Sequence, residues 1–449
     1  MKPKTDISTT AEKSSVSLYR EACRLLPGGV SRNTIHRRPH PHYAAGASGC
    51  HVTDIEGKRC LDFANNMASL IHGHAHPALL ETAFEQLRRG TAFSMGTEAE
   101  IDFARLLCGR VPGFERIRFT NSGTEAVMTM LKAARAYTGK SKIAKVEGAY
   151  HGSYDYAEVS QTAGPENWGS ANAPNSVPVA VGTPQSVLDD VVVIPFNAAE
   201  EVVAIFDRHG GEIAGVLIDP LPHRVGLIPA QDTFIETVHR WTRENGALLL
   251  FDEVITFRNE QGGMQELYRV QPDMTALGKV IGGGFPAGAV AGSSEVMKVM
   301  DPRYPAMRLP HSGTFSANPV TMTAGRVALE LFDREAVVRL NALADRAKRQ
   351  IGEAIEIAGI VACVTGAGSL FRVHLRAEPP TDYRSAWMDG RAAANLRLLL
   401  NLLYDEGILM INTCTAALST VMTEREIDRL SEAMLSAMRK LRSSKEALL

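Results

Sequence analysis

From about residue 77 to residue 330, short apolar runs alternate with stretches of helical periodicity. The runs are Arg116–Phe119, Lys142–Val146, Val191–Pro195, Gly215–Ile218, Ala247–Phe251 and Ala287–Ala291. Several are apolar throughout rather than at every second position, the mark of strands covered on both faces in a parallel sheet. Strands alternating with helices predict an α/β layer architecture. In such sheets ligands bind beyond the carboxyl ends of the strands. Polar residues just after each run therefore carry the functional question.

The flanks read differently. Ser17–Leu26 spaces its apolar positions as a short amphipathic helix that Pro27-Gly28-Gly29 ends. Gly49–Asp54 and Arg59–Phe63 read as a hairpin turning at Glu56-Gly57. After about residue 330 a long helix runs to Ala358, where Gly359 is a natural stop. Strand signals at Val361–Thr365 and Leu370–His374 and terminal helices follow. The expected division is a disordered tail over 1–14, an N-terminal part of a small domain over 15–76, a large domain over 77–330 and the C-terminal small domain over 331–449. A chain of 449 residues is long enough for two cores. Two stretches are irregular, Gln161–Gly182 and Arg303–Pro310. The first reads as a loop near the site, long enough to be functional or mobile.

Composition narrows the class. Lysine and arginine total 48 against 50 acidic residues, so nothing in the charge balance favours a nucleic-acid or membrane partner. The six cysteines are scattered without a CxxC pair, which favours reduced thiols over disulfides or a zinc site. No apolar core of a signal peptide stands at the N-terminus, and no run is long enough for a membrane span. The expectation is a cytoplasmic enzyme with a small-molecule substrate.

Four pieces of sequence suit a phosphorylated aromatic cofactor. Arg118-Phe119-Thr120 leads into Asn121-Ser122-Gly123-Thr124 and a helix start, whose free N–H groups and hydroxyls suit a phosphate; alone it is as well read as an ordinary N-cap. Leu248–Phe251 runs into Asp252-Glu253-Val254. An acid at the end of a buried strand needs a cation or donors, and a protonated pyridine nitrogen is one such partner; a helix cap or a metal ligand is another reading. Lys279 sits among glycines in Gly278-Lys279-Val280-Ile281-Gly282-Gly283-Gly284, where desolvation would ease loss of its proton. A solvated lysine beside a turn is the alternative. Tyr150, in Gly148-Ala149-Tyr150-His151-Gly152, can lay a ring on a planar cofactor or simply pack at a turn.

Taken in order, these pieces resemble the class III (fold-type I) pyridoxal 5′-phosphate (PLP) aminotransferases, in the branch around glutamate-1-semialdehyde aminomutase and the β-amino acid transaminases. The resemblance runs from Leu26–Val30 through Gly73–Pro77, Asn121–Ala126, Tyr150–Gly152, Asp252–Val254 and Gly278–Gly284 to Ser312–Pro319. It implies a large domain with a mostly parallel seven-stranded sheet flanked by helices, and a smaller α+β domain built from both termini. It implies that Lys279 carries PLP as a Schiff base and shuttles the proton, that Asp252 meets the pyridine nitrogen, and that Val254 and Tyr150 cover opposite ring faces, with His151 beside them. Ser122, Gly123 and Thr124 match the phosphate cradle. Thr314 matches a threonine that reaches the phosphate of a neighbouring subunit, which implies a homodimer with shared sites. Arg32 resembles the arginine that grips the substrate carboxylate.

The chain also departs from the pattern. Met410–Ser419 lacks both the Pro-Ser pair and glutamate of the aminomutases and the arginine of the β-phenylalanine transaminases. Asp219 stands where glutamate is usual, and Arg224 adds a cation that is a candidate for a second carboxylate contact, or else a surface arginine. His72, His74 and His76 form an HxHxH string that, on a strand, would offer two metal ligands to a hydrolase; the match to the family's turn makes it structural instead, so no metal is expected. The expected activity is transfer of an amino group from a β- or other non-standard amino acid to a 2-oxo acid such as pyruvate or 2-oxoglutarate. An aminomutase or racemase on the same scaffold is the alternative.

Overall fold

The computed structural model describes residues 14–304 and 307–444. Apart from Ser14, the tail expected over residues 1–14 lies outside the described residues. Ser14 itself caps the first helix, Ser15–Leu25, in a reciprocal box with Ser17.

Seven strands form the central sheet, in the order Arg116–Thr120, Gly288–Gly292, Met274–Gly278, Leu248–Asp252, Ile213–Ile218, Lys142–Val146 and Val191–Ile194. Gly288–Gly292 runs antiparallel to both of its neighbours, and the other pairs are parallel. Six strands coincide with the apolar runs of the sequence. The seventh, Met274–Gly278, was not expected as a strand; Thr275, Ala276 and Gly278 dilute its apolar signal, yet all five of its residues are buried.

Burial on two faces explains the unbroken runs. Leu249 and Phe251 point into a cluster with Phe234, Val238 and Trp241 of the helix Asp232–Glu244. Their neighbours Leu248 and Leu250 point the other way, against Val127, Met130 and Leu131 of the helix Gly123–Thr138. Each such side chain contributes roughly 1.5–3 kcal/mol by leaving water.

The two chain ends meet in smaller sheets. Ala44–Ser48, His51–Asp54 and Arg59–Asp62 pair antiparallel, the last two as the expected hairpin, and Ile408–Leu409 adds a parallel fourth strand. Cys363–Thr365, Leu370–His374 and Thr415–Ala417 form a three-stranded antiparallel sheet. The helix Arg334–Ala358 starts on an Asp333 cap, stops at left-handed Gly359, and packs Leu340 and Ile351 with Leu430 and Met434 of Glu424–Ser443. The stretch 161–182, read as a loop, contains a small hairpin of Gly169–Ser170 with Ala173–Pro174.

Candidate active site

Five strands of the sheet end at one cavity of about 590 Å³. Thr120 is followed by Asn121, Ser122, Gly123 and Thr124; Val146 by Tyr150 and His151; Ile218 by Asp219. Asp252 closes its own strand, with Val254 just beyond, and Lys279 follows Gly278 directly. The carboxyl edge of the sheet thus collects the residues that lie far apart in sequence.

Asp252 is fixed from two sides. Its Oδ2 lies 2.7 Å from His151 Nδ1, and its Oδ1 accepts the Val254 N–H at 3.0 Å. His151 is buried; burial lowers its basicity, Asp252 opposes that, and its Nε2 has no partner. Lys279 adopts φ +48°, a left-handed backbone that costs a non-glycine residue about 1–3 kcal/mol and is common at functional sites. Burial lowers its pKa, against the pull of Asp252 and Asp219. The Asp219 carboxyl moves the other way, raised well above the usual range by burial and then by Asp252.

At the helix start, Ser122 Oγ accepts Glu125 N–H at 3.1 Å and Glu125 in turn accepts Asn121 N–H at 2.7 Å. Ser122 is thus an N-cap, as its alternative reading had it, and Ser122, Gly123 and Thr124 at the start of the helix line the cavity. A Cβ on Gly123 would fall 2.7 Å from Val254 Cγ1, so only glycine lets Val254 sit there.

A second cavity, also about 590 Å³, continues outward and shares Arg32, Tyr150, Ile255 and Lys279 with the first. Tyr150 stands between the two, 36% exposed, its ring edge-on to His223 at 5.8 Å. Arg32 is exposed and donates to Asn66 Oδ1 at 2.9 Å. Arg224 and Arg372 line the outer part. Thr314 is exposed and lines neither cavity of this chain.

The histidine string is not a strand. His72 is buried between Thr420 Oγ1 at 2.7 Å and the Ala328 carbonyl at 2.8 Å, and His74 pairs with Asp62 at 2.7 Å. Their side chains are thus engaged in holding the fold. No group of three metal-ligating residues occurs among the described residues.

Sequence reasoning missed the segment Asn65–Ala68, four consecutive residues at positive φ that bring Asn66 and Met67 to the cavity. The Asn65-Asn66 pair was the available signal, since asparagine tolerates that conformation. It also missed Arg372 and Tyr383, which line the outer cavity.

A buried carboxylate held by histidine, an unpartnered imidazole nitrogen, a lysine at a strained turn and open helix N–H groups fit PLP. Together with the mixed seven-stranded sheet they define a fold-type I PLP enzyme. Residues 35–438 match the family Aminotransferase class-III, and the chain belongs to that family. It is similar to an ω-transaminase from Sphaerobacter thermophilus, 44% identical, with a TM-score of 0.94 over 97% of this chain and 99% of that one. A β-phenylalanine aminotransferase from Variovorax paradoxus is 32% identical, with a TM-score of 0.84 over 94% and 93% of the two chains. Among curated proteins, the glutamate-1-semialdehyde 2,1-aminomutase of Methanothermobacter thermautotrophicus is 39% identical over 83% of this chain and 86% of its own.

Proposed function

We propose that the protein is a transaminase that moves an amino group from a β- or other non-standard amino acid to a 2-oxo acid, with Arg32 holding the substrate carboxylate. The observation that carries this reading is the outer cavity, whose wall combines three arginines with Met67, Leu227, Ile255 and Trp387. It offers room and cations for a carboxylate-bearing substrate of appreciable size. The likeness to the ω-transaminase over nearly the whole of both chains supports it.

PLP, bound at the inner end, supplies an electron sink for the charge left when a carbon–hydrogen bond next to the amine breaks. Lys279 Nζ takes that proton and returns it; its lowered pKa leaves more of the amine free to accept it. Asp252, held by His151 and Val254, supplies the carboxylate for the pyridine nitrogen. Val254 and Tyr150 bound the space for the ring, and Ser122, Gly123 and Thr124 offer the phosphate its cradle.

The same reading makes the enzyme a cytoplasmic homodimer. Leu80, Phe84 and Leu87 are exposed on one helix, with Phe93, Met95, Ile101 and Phe315 exposed nearby in sequence or next to Thr314. So much bare apolar surface suits a subunit interface, and Thr314 would then serve the partner's phosphate site.

The likeness to aminomutases keeps a second reading, an internal amino shift without acceptor. Single-turnover assays with a panel of amino acids separate the two. A transaminase yields one carbonyl product per site and stops until an oxo acid is added. Continued turnover without acceptor would overturn the proposal in favour of the aminomutase.

A further inference from the structure

The arginines packed into this fold, fully buried or half-buried, are finished in two ways. Arg258, fully buried, spends its nitrogens on Ser369 Oγ at 2.8 Å, the Ala68 carbonyl at 3.2 Å and the Leu418 carbonyl. Arg384 grips Glu147 with Nε and Nη2 at 2.9 and 3.0 Å and donates to the carbonyls of Trp168, Gly169 and Ser170. Both are internally satisfied, as buried cations must be.

Arg372 is not. It lies on the fully buried strand Leu370–His374, is 3% exposed, and donates one bond, from Nη1 to the His223 carbonyl at 2.9 Å. Its Nε is buried without a partner. Arg224 follows His223 and leaves its own Nε buried and unpartnered, beside the neutral Tyr383 hydroxyl. Among the described residues neither guanidinium pairs with a carboxylate, and burial, with the charge of Arg224, lowers the pKa of Arg372. His223, between them, is held neutral: burial and the cations Lys279, Arg224 and Arg372 push its pKa down to about 3. Two like charges facing a cavity, with donors unspent and no acid to offset them, are arranged for an anion that arrives from outside.

We propose that Arg224 and Arg372 form a second anion subsite at the outer end of the cavity, which takes a further carboxylate of the substrate. The inference rests on the transaminase reading and deepens it: at least one of the two substrates is a dicarboxylate, gripped by Arg32 at one end and by this pair at the other. The same cavity wall is apolar at Trp387 and Met388 and uncharged at Asn412 and Thr413, which suits an aliphatic chain.

Calorimetric titration of the PLP-loaded enzyme with glutarate and with pentanoate, the same carbon chain with one carboxylate fewer, tests this without turnover. Glutarate is expected to bind roughly tenfold tighter or better, as a charge-assisted contact warrants. The preference should vanish in Arg224→Gln and shrink in Arg372→Lys, which keeps the charge but loses the fork and spares the fold a buried void. Equal affinity for the two acids in the native enzyme, or a preference that survives in Arg224→Gln, overturns the subsite. Failure of the transaminase reading shows up separately, as absence of acceptor-dependent product while the titration result stands.

Discussion

At the inner end of the cavity Asp252 is held by His151 and by the Val254 N–H, and the cap at Ser122 is closed by Glu125. At the outer end Arg224 and Arg372 keep buried nitrogens without partners, while Arg32, which lines both cavities, donates to Asn66. On the proposed reading the difference follows from what each end would receive. A cofactor is the same in every turnover, so its contacts can be fixed in advance by hydrogen bonds within the protein. Substrates come and go, so the donors that recognise them must stay unspent between visits.

The comparison breaks most visibly at Asp252. Replacing it with alanine frees His151 Nδ1 as well as the ring-nitrogen position, and kcat is expected to fall roughly 10²–10³-fold, read by steady-state assay with excess PLP. An unchanged kcat would mean that the inner end is not preorganised by this carboxylate. Gly148→Ala strikes the outer end at Tyr383. Gly148 has φ +74°, and a Cβ there would run into the Tyr383 ring. The variant should lose about 2 kcal/mol of stability in urea melts while its PLP absorbance stays native.

A smaller effect is expected at Arg32. Arg32→Gln should raise the KM of the amino donor about tenfold, with less change in kcat, because the contact serves binding in ground and transition states alike. The smallest concerns Lys145, buried in the strand Lys142–Val146, which donates to the carbonyls of Val159 at 2.8 Å and Val146 at 3.1 Å. Burial and then Arg224 lower its pKa to about 7. Between that value and about 10.4 in the unfolded chain, the unfolded state holds the proton and the folded state does not, so stability rises with pH across this window and the penalty is complete below it. Lys145→Met should flatten that rise, a change of about 2 °C in Tm between pH 7 and pH 10.

Much of the inner end was legible because its residues follow buried strands, and such strands announce themselves as unbroken apolar runs. Asp252 closes a strand, and Lys279 and Ser122 stand one and two positions past the ends of two others. The strand before Lys279 escaped notice because small and hydroxyl residues fill it, and only packing on both faces makes Met274–Gly278 a strand. The outer end was harder to read. Arg372 falls inside a run whose strand signal was clear, but nothing local shows that an arginine there is buried and faces a cavity. The left-handed stretch at Asn65–Ala68 is set by contacts with the other end of the chain, among them Asn65 Nδ2 to the Ala417 carbonyl at 2.6 Å. Thr314 lines neither of the two cavities, and the phosphate contact proposed for it would need a second subunit.

The most direct test of the central claim is the absorbance spectrum of the protein and of Lys279→Ala, each incubated with excess PLP and desalted. The native protein should retain a yellow band that bleaches on addition of a suitable amino acid and returns with an oxo acid. Lys279→Ala should lack both the band and its recovery. A native protein that emerges colourless, or a Lys279→Ala variant whose spectrum bleaches and recovers as the native one does, would contradict the assignment of Lys279 and the reading of the cavity built around it.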